Sequence, residues 1–303
     1  MPACMKEKEI HGLICRTFRQ GRKVVVGPGD DCAAVDVGAK RLFLLAVDQV
    51  VSDVHYVSRS TPASAVAVKL LKRNLSDIAA MGGEPEFALL TIATGSADRR
   101  WITAFLSSLR KEALRYKVSI CGGDISSLKK TGTVCTLTIA GWVEKDRICL
   151  RSAAKAGDLL YATGCFGNSF KSGHHLKFIP RIDAGRFLAG RFTRCMMDVS
   201  DGILADAQRI CESSMVSLEI DTAAIPIRKG ASLASALSEG EDYELIFAVK
   251  PAKSARLEKE WPFKNIRLSR IGRFIPGKSC RILDMNGKLL VKRFKTGYEH
   301  FSK

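Results

Sequence analysis

The sequence predicts a two-domain protein of the α/β (α+β) class, and three observations support this prediction. The chain has 303 residues, about twice the usual length of one domain. Segments with strand-like and helix-like patterns are mixed in both halves, as in domains that pack helices on sheets. A short charged segment at residues 144–158 separates the two halves. We therefore predict one domain at residues 1–146 and a second at residues 147–303.

The first elements of the N-terminal half are a strand, a helix and a second strand. Residues 41–48, RLFLLAVD, form an apolar run that ends at an acid and predict a short buried strand. A helix is predicted from Thr61, a capping residue followed by proline at the first helical position. It is expected to end at Gly82-Gly83, because glycine favours helix ends. Residues 87–94, FALLTIAT, predict the next strand.

Three more elements complete this half. Residues 97–117 have the apolar spacing of an amphipathic helix. Residues 118–124, VSICGGD, predict a strand that runs into a glycine turn. Residues 133–143, TVCTLTIAGWV, alternate well enough to predict a further strand.

The C-terminal half repeats this mixture of elements. Residues 159–165, LLYATGC, predict a strand, and residues 198–214, DVSDGILADAQRICESS, predict a helix after a bend with glycine and histidine. Residues 244–250 predict a strand, which is followed by a Lys/Glu-rich helix near residues 252–261. The last predicted strand covers residues 266–274.

The charge balance of the chain favours anionic ligands. There are 48 Lys and Arg residues against 31 Asp and Glu, which gives a formal net charge of +17. Such a field attracts nucleic acid, anionic membrane surfaces or phosphorylated metabolites. The basic residues are dispersed and are not interleaved with aromatic residues, so most of them are expected on a solvated surface. Nucleic-acid binding is therefore not expected.

Cysteine usage and hydropathy indicate the compartment. The ten cysteines include no C-x-x-C pair and no ladder of the zinc type, so we expect reduced thiols. The N-terminus lacks the apolar core of a signal peptide, and no apolar run has transmembrane length. We expect a soluble, cytoplasmic protein with no membrane partner.

Acidic residues beside small residues or at the ends of predicted strands are the main functional signal. They are Asp30 and Asp31 in GPGDD, Asp48 in AVDQ, Asp77 in NLSDIAAMGG, Asp124 in GGD, Asp198 and Asp201 in DVSDG, and Glu241 and Asp242 in EGEDYE. Clustered like charges are unfavourable unless a cation neutralises them, and Mg²⁺ binds carboxylate oxygens together with phosphates. The acids therefore predict magnesium-dependent phosphate chemistry, although the chain has no P-loop and no kinase-type catalytic loop.

Each of these motifs also has a purely structural interpretation. GPGDD contains the commonest turn residues, and Asp198 or Asp201 would suit a helix N-cap. Asp77 would suit an exposed helix face, and Asp124 would suit a hairpin. His55 is close enough in sequence to Asp48 to share a site, but the spacing alone does not decide its role.

The ordered set of motifs resembles the thiamine-monophosphate kinase family, within the superfamily of aminoimidazole ribonucleotide synthetase. The motifs are GPGDDCA, VDQVVSDVHY, NLSDIAAMGG, GGD, RSAAKAGDLLYATG, DVSDGILAD, GEDYEL and GYEHF, in that order. The resemblance spans essentially the whole chain. It implies a two-domain fold of the aminoimidazole ribonucleotide synthetase type. The N-terminal domain would have a mixed or antiparallel sheet that pairs in a homodimer, and the C-terminal α/β domain would complete the site.

The resemblance also implies an activity and a set of site residues. ATP would phosphorylate thiamine monophosphate to thiamine diphosphate with several Mg²⁺ ions, by direct in-line transfer without a covalent enzyme intermediate. The family's metal ligands match Asp31, Asp48, Asp77, Asp124, Asp198 and Asp201, with Ala46 and Val47 as backbone ligands. The ATP contacts match Tyr116, Gly123, Asp124, Arg151 and Ser200. The positions that hold thiamine monophosphate match His55, Glu241 and Tyr298.

Two departures from the family pattern affect the substrate side. The chain reads DQVVSD at residues 48–53, where the family typically has Asp-Thr-Leu-Val-x-Gly, and Glu239 replaces a glycine. These changes leave two alternatives open. One is another ATP-dependent synthetase of the same superfamily, and the other is a non-catalytic, basic nucleic-acid-binding protein on this fold.

Overall fold

The structure, a computed structural model, describes residues 5–277, 279–294 and 297–298. Its N-terminal half contains a six-stranded sheet covered by two long helices. The elements are α1 (Glu7–Thr17), β1 (Val24–Val26), β2 (Ala33–Asp36), β3 (Arg41–Val51), α2 (Ala63–Ala80), β4 (Glu84–Thr94), α3 (Arg99–Arg115), β5 (Ser119–Ser127) and β6 (Thr133–Glu144). The strand order is β1-β2-β3-β6-β4-β5, and only the β4–β5 pair is parallel.

The C-terminal half contains a second six-stranded sheet within the described residues. Its elements are a 3₁₀ turn (Arg151–Ala153), β7 (Leu159–Thr163), α4 (His174–Lys177), α5 (Ile182–Leu188), β8 (Cys195–Asp198), α6 (Ile203–Ser214), β9 (Ser217–Ile220), α7 (Leu233–Ser238), β10 (Leu245–Val249), α8 (Pro251–Glu260), β11 (Leu268–Ile275), β12 (Ile282–Asp284) and a last 3₁₀ turn (Leu290–Lys292). The strand order is β12-β9-β11-β7-β10-β8, and β12 pairs with β9 in parallel. The predicted mixed fold class is confirmed.

Helix α2 connects the two halves. One side of it packs on the N-terminal sheet, and other sides contact α4, α5 and β8 of the C-terminal half. This explains why apolar residues surround the helix, since a helix that is hydrophobic all round is a buried one. The charged side chains of α2 are therefore enclosed between the two halves.

Three predicted elements have a wrong boundary. The predicted strand at 41–48 continues to Val51, because β6 pairs with β3 along its whole length. Residues 118–124 do not enter a turn, since β5 continues through both glycines to Ser127. The predicted helix at 198–214 is wrong at its start: β8 ends at Asp198, and α6 begins only at Ile203. The DVSDG motif is thus a strand–loop–helix junction.

Other elements were not predicted from the sequence. Most of them, such as β1, β8 and β9, have only three or four residues, which is too short for a periodic pattern. The domain boundary between residues 146 and 147 stays a prediction. Residues 299–301 of the GYEHF motif lie outside the described part of the chain. No helix in that part is both long and apolar enough to cross a membrane.

Candidate active site

Three carboxylates from different elements meet where the two halves face each other. Asp31 precedes β2, Asp77 lies in the last turns of α2, and Asp198 ends β8. One side-chain oxygen from each lies within 4.8 Å of the others. We call Asp31, Asp77 and Asp198 the three-acid group. It brings together three of the predicted metal ligands, two from the N-terminal half and one from the C-terminal half.

The surroundings of the three-acid group disfavour its negative charge. Burial raises the pKa of Asp77 well above its ordinary value, and the nearby carboxylates of Asp48, Asp198 and Asp31 raise it further. Burial also raises the pKa of Asp198, again with a contribution from Asp31. The Ser76 hydroxyl donates a hydrogen bond to Asp198 at 2.5 Å. Among the described residues, neither Asp77 nor Asp198 forms an ion pair, so a cation would relieve the repulsion.

The GPGDD turn is tied to the C-terminal half through Arg151. The Nη2 of Arg151 donates to an oxygen of Asp31 at 2.7 Å. Asp30 accepts hydrogen bonds from the backbone N–H groups of Asp31 and Arg151, both at 3.1 Å. Burial and the neighbouring Asp31 raise the pKa of Asp30 to about 7. Asp30 therefore holds the bend, while Asp31 binds the arginine and belongs to the three-acid group.

Asp48 is held by an arginine that sequence reasoning missed. Side chains alternate along β3, so Asp48 shares the inner face with Leu44 and Val50 and points toward α2. Arg73 of α2 donates to both oxygens of Asp48, through Nε at 3.0 Å and Nη2 at 3.1 Å. The backbone N–H of Asp48 donates to the Asn74 side chain at 3.1 Å. The signal in the sequence was the i, i+4 spacing of Arg73 and Asp77 on a largely apolar helix.

The two predicted backbone ligands, Ala46 and Val47, belong to β3 and lie just past the point where β2 begins. Pairing between β2 and β3 starts at Ala33 with Leu45, so Ala46 and Val47 lie beside the loop that carries Asp31. Ala46 is buried, and the Val47 side chain is 63% exposed.

The predicted substrate residues His55 and Glu241 are connected by a buried lysine. Glu241 lies in the segment between α7 and β10, which we call the Glu241 loop (residues 239–244). Lys69 of α2 is fully buried and forms an ion pair with Glu241. The Nζ of Lys69 also donates to the backbone carbonyl of His55 at 2.6 Å. The His55 ring accepts from the backbone N–H of Val51 at 3.1 Å, which fixes the ring's orientation.

The Glu241 loop packs tightly on the loop that follows β8. The backbone N–H of Glu241 donates to the Ser200 carbonyl at 2.7 Å. A side chain at Gly240 would place its Cβ only 2.2 Å from that same carbonyl oxygen, so this approach requires glycine. The predicted nucleotide residue Ser200 and the predicted substrate residue Glu241 are therefore neighbours.

Asp201 and Tyr298 also lie close together, at the edge of the site. The Asp201 carboxylate accepts from Arg209 at 2.5 Å and is not part of the three-acid group. The backbone N–H of Tyr298 donates to the Asp201 carbonyl at 3.2 Å, and the residue is 53% exposed.

Gly123, Asp124 and Tyr116 lie away from these acids. Asp124 is exposed on β5, opposite Thr91 of β4, at the edge of the sheet. Three strand spacings separate β5 from β3, which corresponds to about 14 Å. Tyr116 ends α3, and its buried hydroxyl has no hydrogen-bond partner in the described residues. Burial raises its pKa.

Family models match both halves of the chain. Residues 29–143 match the N-terminal domain of AIR synthase related protein, and residues 155–284 match its C-terminal domain.

Individual relatives agree with these domain matches. The chain is 31% identical to thiamine-monophosphate kinase of Haemophilus influenzae, over 95% of this chain and 97% of that protein. It is 30% identical to thiamine-monophosphate kinase of Bacillus subtilis, over 96% of this chain and 98% of that protein. A solved structure, AaThiL complexed with AMPPCP and TMP, superposes with a TM-score of 0.82 at 25% identity and covers 98% of this chain and 97% of that chain. Because the similarity includes both domains in order and nearly the whole sequence, the chain belongs to the thiamine-monophosphate kinase family.

Proposed function

We propose that this protein transfers the γ-phosphoryl group of ATP to the phosphate of thiamine monophosphate and so forms thiamine diphosphate. The observation that carries the proposal is the three-acid group, which is built from both halves of a chain of this family. The related AaThiL was solved with AMPPCP and TMP, which supports both substrates.

The donor set of the three-acid group fits Mg²⁺. Its atoms are hard carboxylate oxygens, and the raised pKa values of Asp77 and Asp198 indicate a shortage of positive charge around them. We propose Asp31, Asp77 and Asp198 as its ligands, with Asp201 and the carbonyls of Ala46 and Val47 contributing from the edge. When bound, Mg²⁺ would neutralise the two phosphates and orient the transferred group. Asp48 differs from Asp77 and Asp198, because both its oxygens already accept hydrogen bonds from Arg73.

The remaining chemistry needs positioning more than proton transfer. The attacking phosphate oxygen is already ionised at neutral pH, so no side chain has to act as a strong base. Transfer is therefore proposed as direct and in line, without a covalent enzyme intermediate. Arg151 suits an ATP phosphate because its fork-shaped guanidinium binds two oxygens at once. Ser200, Tyr116 and Gly123 are proposed as the further ATP contacts, although Tyr116 and Gly123 lie away from the three-acid group of their own chain.

Three residues are proposed to hold thiamine monophosphate. Glu241 would accept a hydrogen bond from the thiamine moiety; its side chain is 12% exposed and already pairs with Lys69. Tyr298 has an exposed ring that suits stacking on a cationic heterocycle. His55 is connected to Glu241 through Lys69, which binds both residues.

We also propose a homodimer formed through β5. All nine residues of this edge strand are exposed in the single chain, including Ile125 at 78%. An edge strand with apolar side chains is a typical pairing surface. Since Asp124 lies about 14 Å from β3 in its own sheet, we propose that each Asp124 serves the site of the other subunit.

A cytoplasmic location is proposed on the basis of cysteine chemistry. The nine cysteines within the described ranges are all free, as is typical of proteins in reducing compartments.

The direct test is a product assay. The purified chain is incubated with ATP, Mg²⁺ and thiamine monophosphate, and the products are separated by chromatography. We expect thiamine diphosphate and ADP in equal amounts, and no diphosphate when unphosphorylated thiamine replaces the monophosphate. A folded protein that binds AMPPCP but forms no thiamine diphosphate would disprove the proposal.

A further inference from the structure

Arg73 is a buried cation that lies between the two halves. Its side chain is 13% exposed, and two of its nitrogens bind the two oxygens of Asp48. The third nitrogen, Nη1, is buried and lies 3.6 Å from an oxygen of Glu241. Arg73 is thus held by an acid of the N-terminal half and faces an acid of the C-terminal half.

The charges around Arg73 form a balanced set. Asp48, Arg73, Glu241 and Lys69 follow one another in contact, with two negative and two positive side chains. None of the four is more than 27% exposed. Moving the guanidinium away would leave the Asp48 carboxylate, which is 27% exposed, without its ion-pair partner, which is unfavourable. The packing therefore keeps Arg73 on Asp48.

This pairing changes what Asp48 can bind. A bidentate guanidinium already neutralises the carboxylate and takes a hydrogen-bonding site on each oxygen. A divalent cation on the same carboxylate would lie next to the guanidinium, and two cations that close repel each other. The three-acid group is different. Asp31 pairs with Arg151, but Asp77 and Asp198 form no ion pair within the described residues, so the group keeps negative charge that a divalent cation can neutralise.

We propose that Arg73 is a built-in cation of this active site and takes the place of a divalent ion at Asp48. The metal site of this chain then consists of the three-acid group, and Asp48 serves to position Arg73 beside it. Arg73 acts by neutralising Asp48 and by facing Glu241. The inference rests on the proposed function only in taking the divalent cation to be Mg²⁺.

The test measures metal binding directly. Mn²⁺ serves as a paramagnetic substitute for Mg²⁺, and its affinity and stoichiometry are measured by electron paramagnetic resonance on the full chain, with and without AMPPCP. For Asp48→Asn we expect less than about a threefold change in affinity, whereas Asp77→Asn should weaken binding by more than about tenfold. For Arg73→Met we expect one additional bound Mn²⁺ per chain, because the freed Asp48 becomes available.

A double variant controls for indirect effects of removing Arg73. Asp48→Asn combined with Arg73→Met removes both partners, so the additional Mn²⁺ should disappear if it binds at Asp48. If Arg73→Met fails to fold, the Mn²⁺ affinities of Asp48→Asn and Asp77→Asn still test the inference. Asn has nearly the shape of Asp, so both of these variants are expected to fold.

Two results would overturn the inference. One is an Asp48→Asn variant whose Mn²⁺ affinity falls as much as that of Asp77→Asn, whether AMPPCP is absent or present. The other is an Arg73→Met variant that folds and binds Mn²⁺ like the unchanged chain. Neither result depends on turnover, so a failure to form thiamine diphosphate would contradict the proposed function and leave this test intact.

Discussion

Asp77 carries a charge that its surroundings disfavour. Its pKa is raised first by burial and then by three neighbouring carboxylates. The native state therefore favours the protonated acid, whereas the unfolded chain releases the proton at about pH 3.9. As the pH rises above that value, the stability of the metal-free protein falls, because the unfolded chain releases a proton that the native state still holds on Asp77. Placing Asp77 among buried carboxylates therefore lowers the stability of the metal-free fold, and the same negative charge favours the binding of a cation.

Replacing Asp77 with Asn is expected to separate these two effects. Thiamine diphosphate formation should fall by more than about 100-fold, since a metal ligand contributes at least as much as the groups that orient it. Without Mg²⁺, the variant should unfold at a higher temperature than the unchanged chain at pH 8, because a like-charge repulsion is removed. Its melting temperature should also fall less steeply between pH 5 and pH 8.

The matched control is Asp146→Asn, at an exposed acid in the charged segment between the halves. This variant should keep both the activity and the pH slope of the unchanged chain. An Asp77→Asn variant that retains turnover, or that loses stability with pH as steeply as the unchanged chain, would contradict the charge argument. Thermal unfolding followed by circular dichroism provides the measurement.

At the scale of the elements, β5 shows why glycines that resemble a turn can belong to a strand. The sequence GGD predicts a turn, but β5 passes through both glycines and stays paired with β4. A Cβ at Gly123 would lie 1.6 Å from the Leu90 carbonyl oxygen, whereas a Cβ at Gly122 would meet only the Leu89 side chain at 3.6 Å. Close approach of two strands, and not a turn, accounts for the glycine at position 123.

The two glycines offer a matched pair of substitutions. Gly123→Ala is expected to lower the free energy of unfolding by about 3 kcal/mol, because a backbone carbonyl in a paired strand cannot move away. Gly122→Ala adds the same methyl group and should change the free energy by less than about 1 kcal/mol. Urea unfolding without Mg²⁺ measures both, and equal stability of the two variants would refute the role of close approach.

At the scale of the whole molecule, the site is assembled from parts that are remote in the chain. Helix α2 is enclosed by both halves and presents Lys69, Arg73 and Asp77 along one side. The C-terminal half adds Asp198 and the Glu241 loop. The exposed edge of β5 leaves Asp124 outside this assembly and available to a second subunit.

A mixed dimer tests this last arrangement. Asp77→Asn and Asp124→Asn chains carry different affinity tags, are produced together and are purified as heterodimers. If Asp124 serves the partner's site, one site of each heterodimer has both acids intact and should show about half the activity of the unchanged dimer. If both acids act within one subunit, both sites are damaged and the heterodimer should be inactive. A monomer in sedimentation analysis would exclude the dimer proposal.

The sequence alone determined the mixed fold class and most long helices and strands, and it supplied a set of candidate acids. These properties depend on local rules, namely residue alternation, helix spacing and the turn preferences of glycine and aspartate. It also misplaced the DVSDG motif in a helix, because a four-residue strand has no periodicity of its own.

Only the tertiary structure decided which acids meet and which are already paired. Asp31, Asp77 and Asp198 come together because α2 packs between two sheets, and no local pattern encodes that contact. Asp48 belongs to the same ordered set of motifs, yet the alternation of β3 turns it toward α2, where Arg73 binds it. The sequence therefore proposed the acids as a set, and the packing of α2 separated Asp77 and Asp198, which form no ion pair in the described part of the chain, from Asp48, which is paired with Arg73.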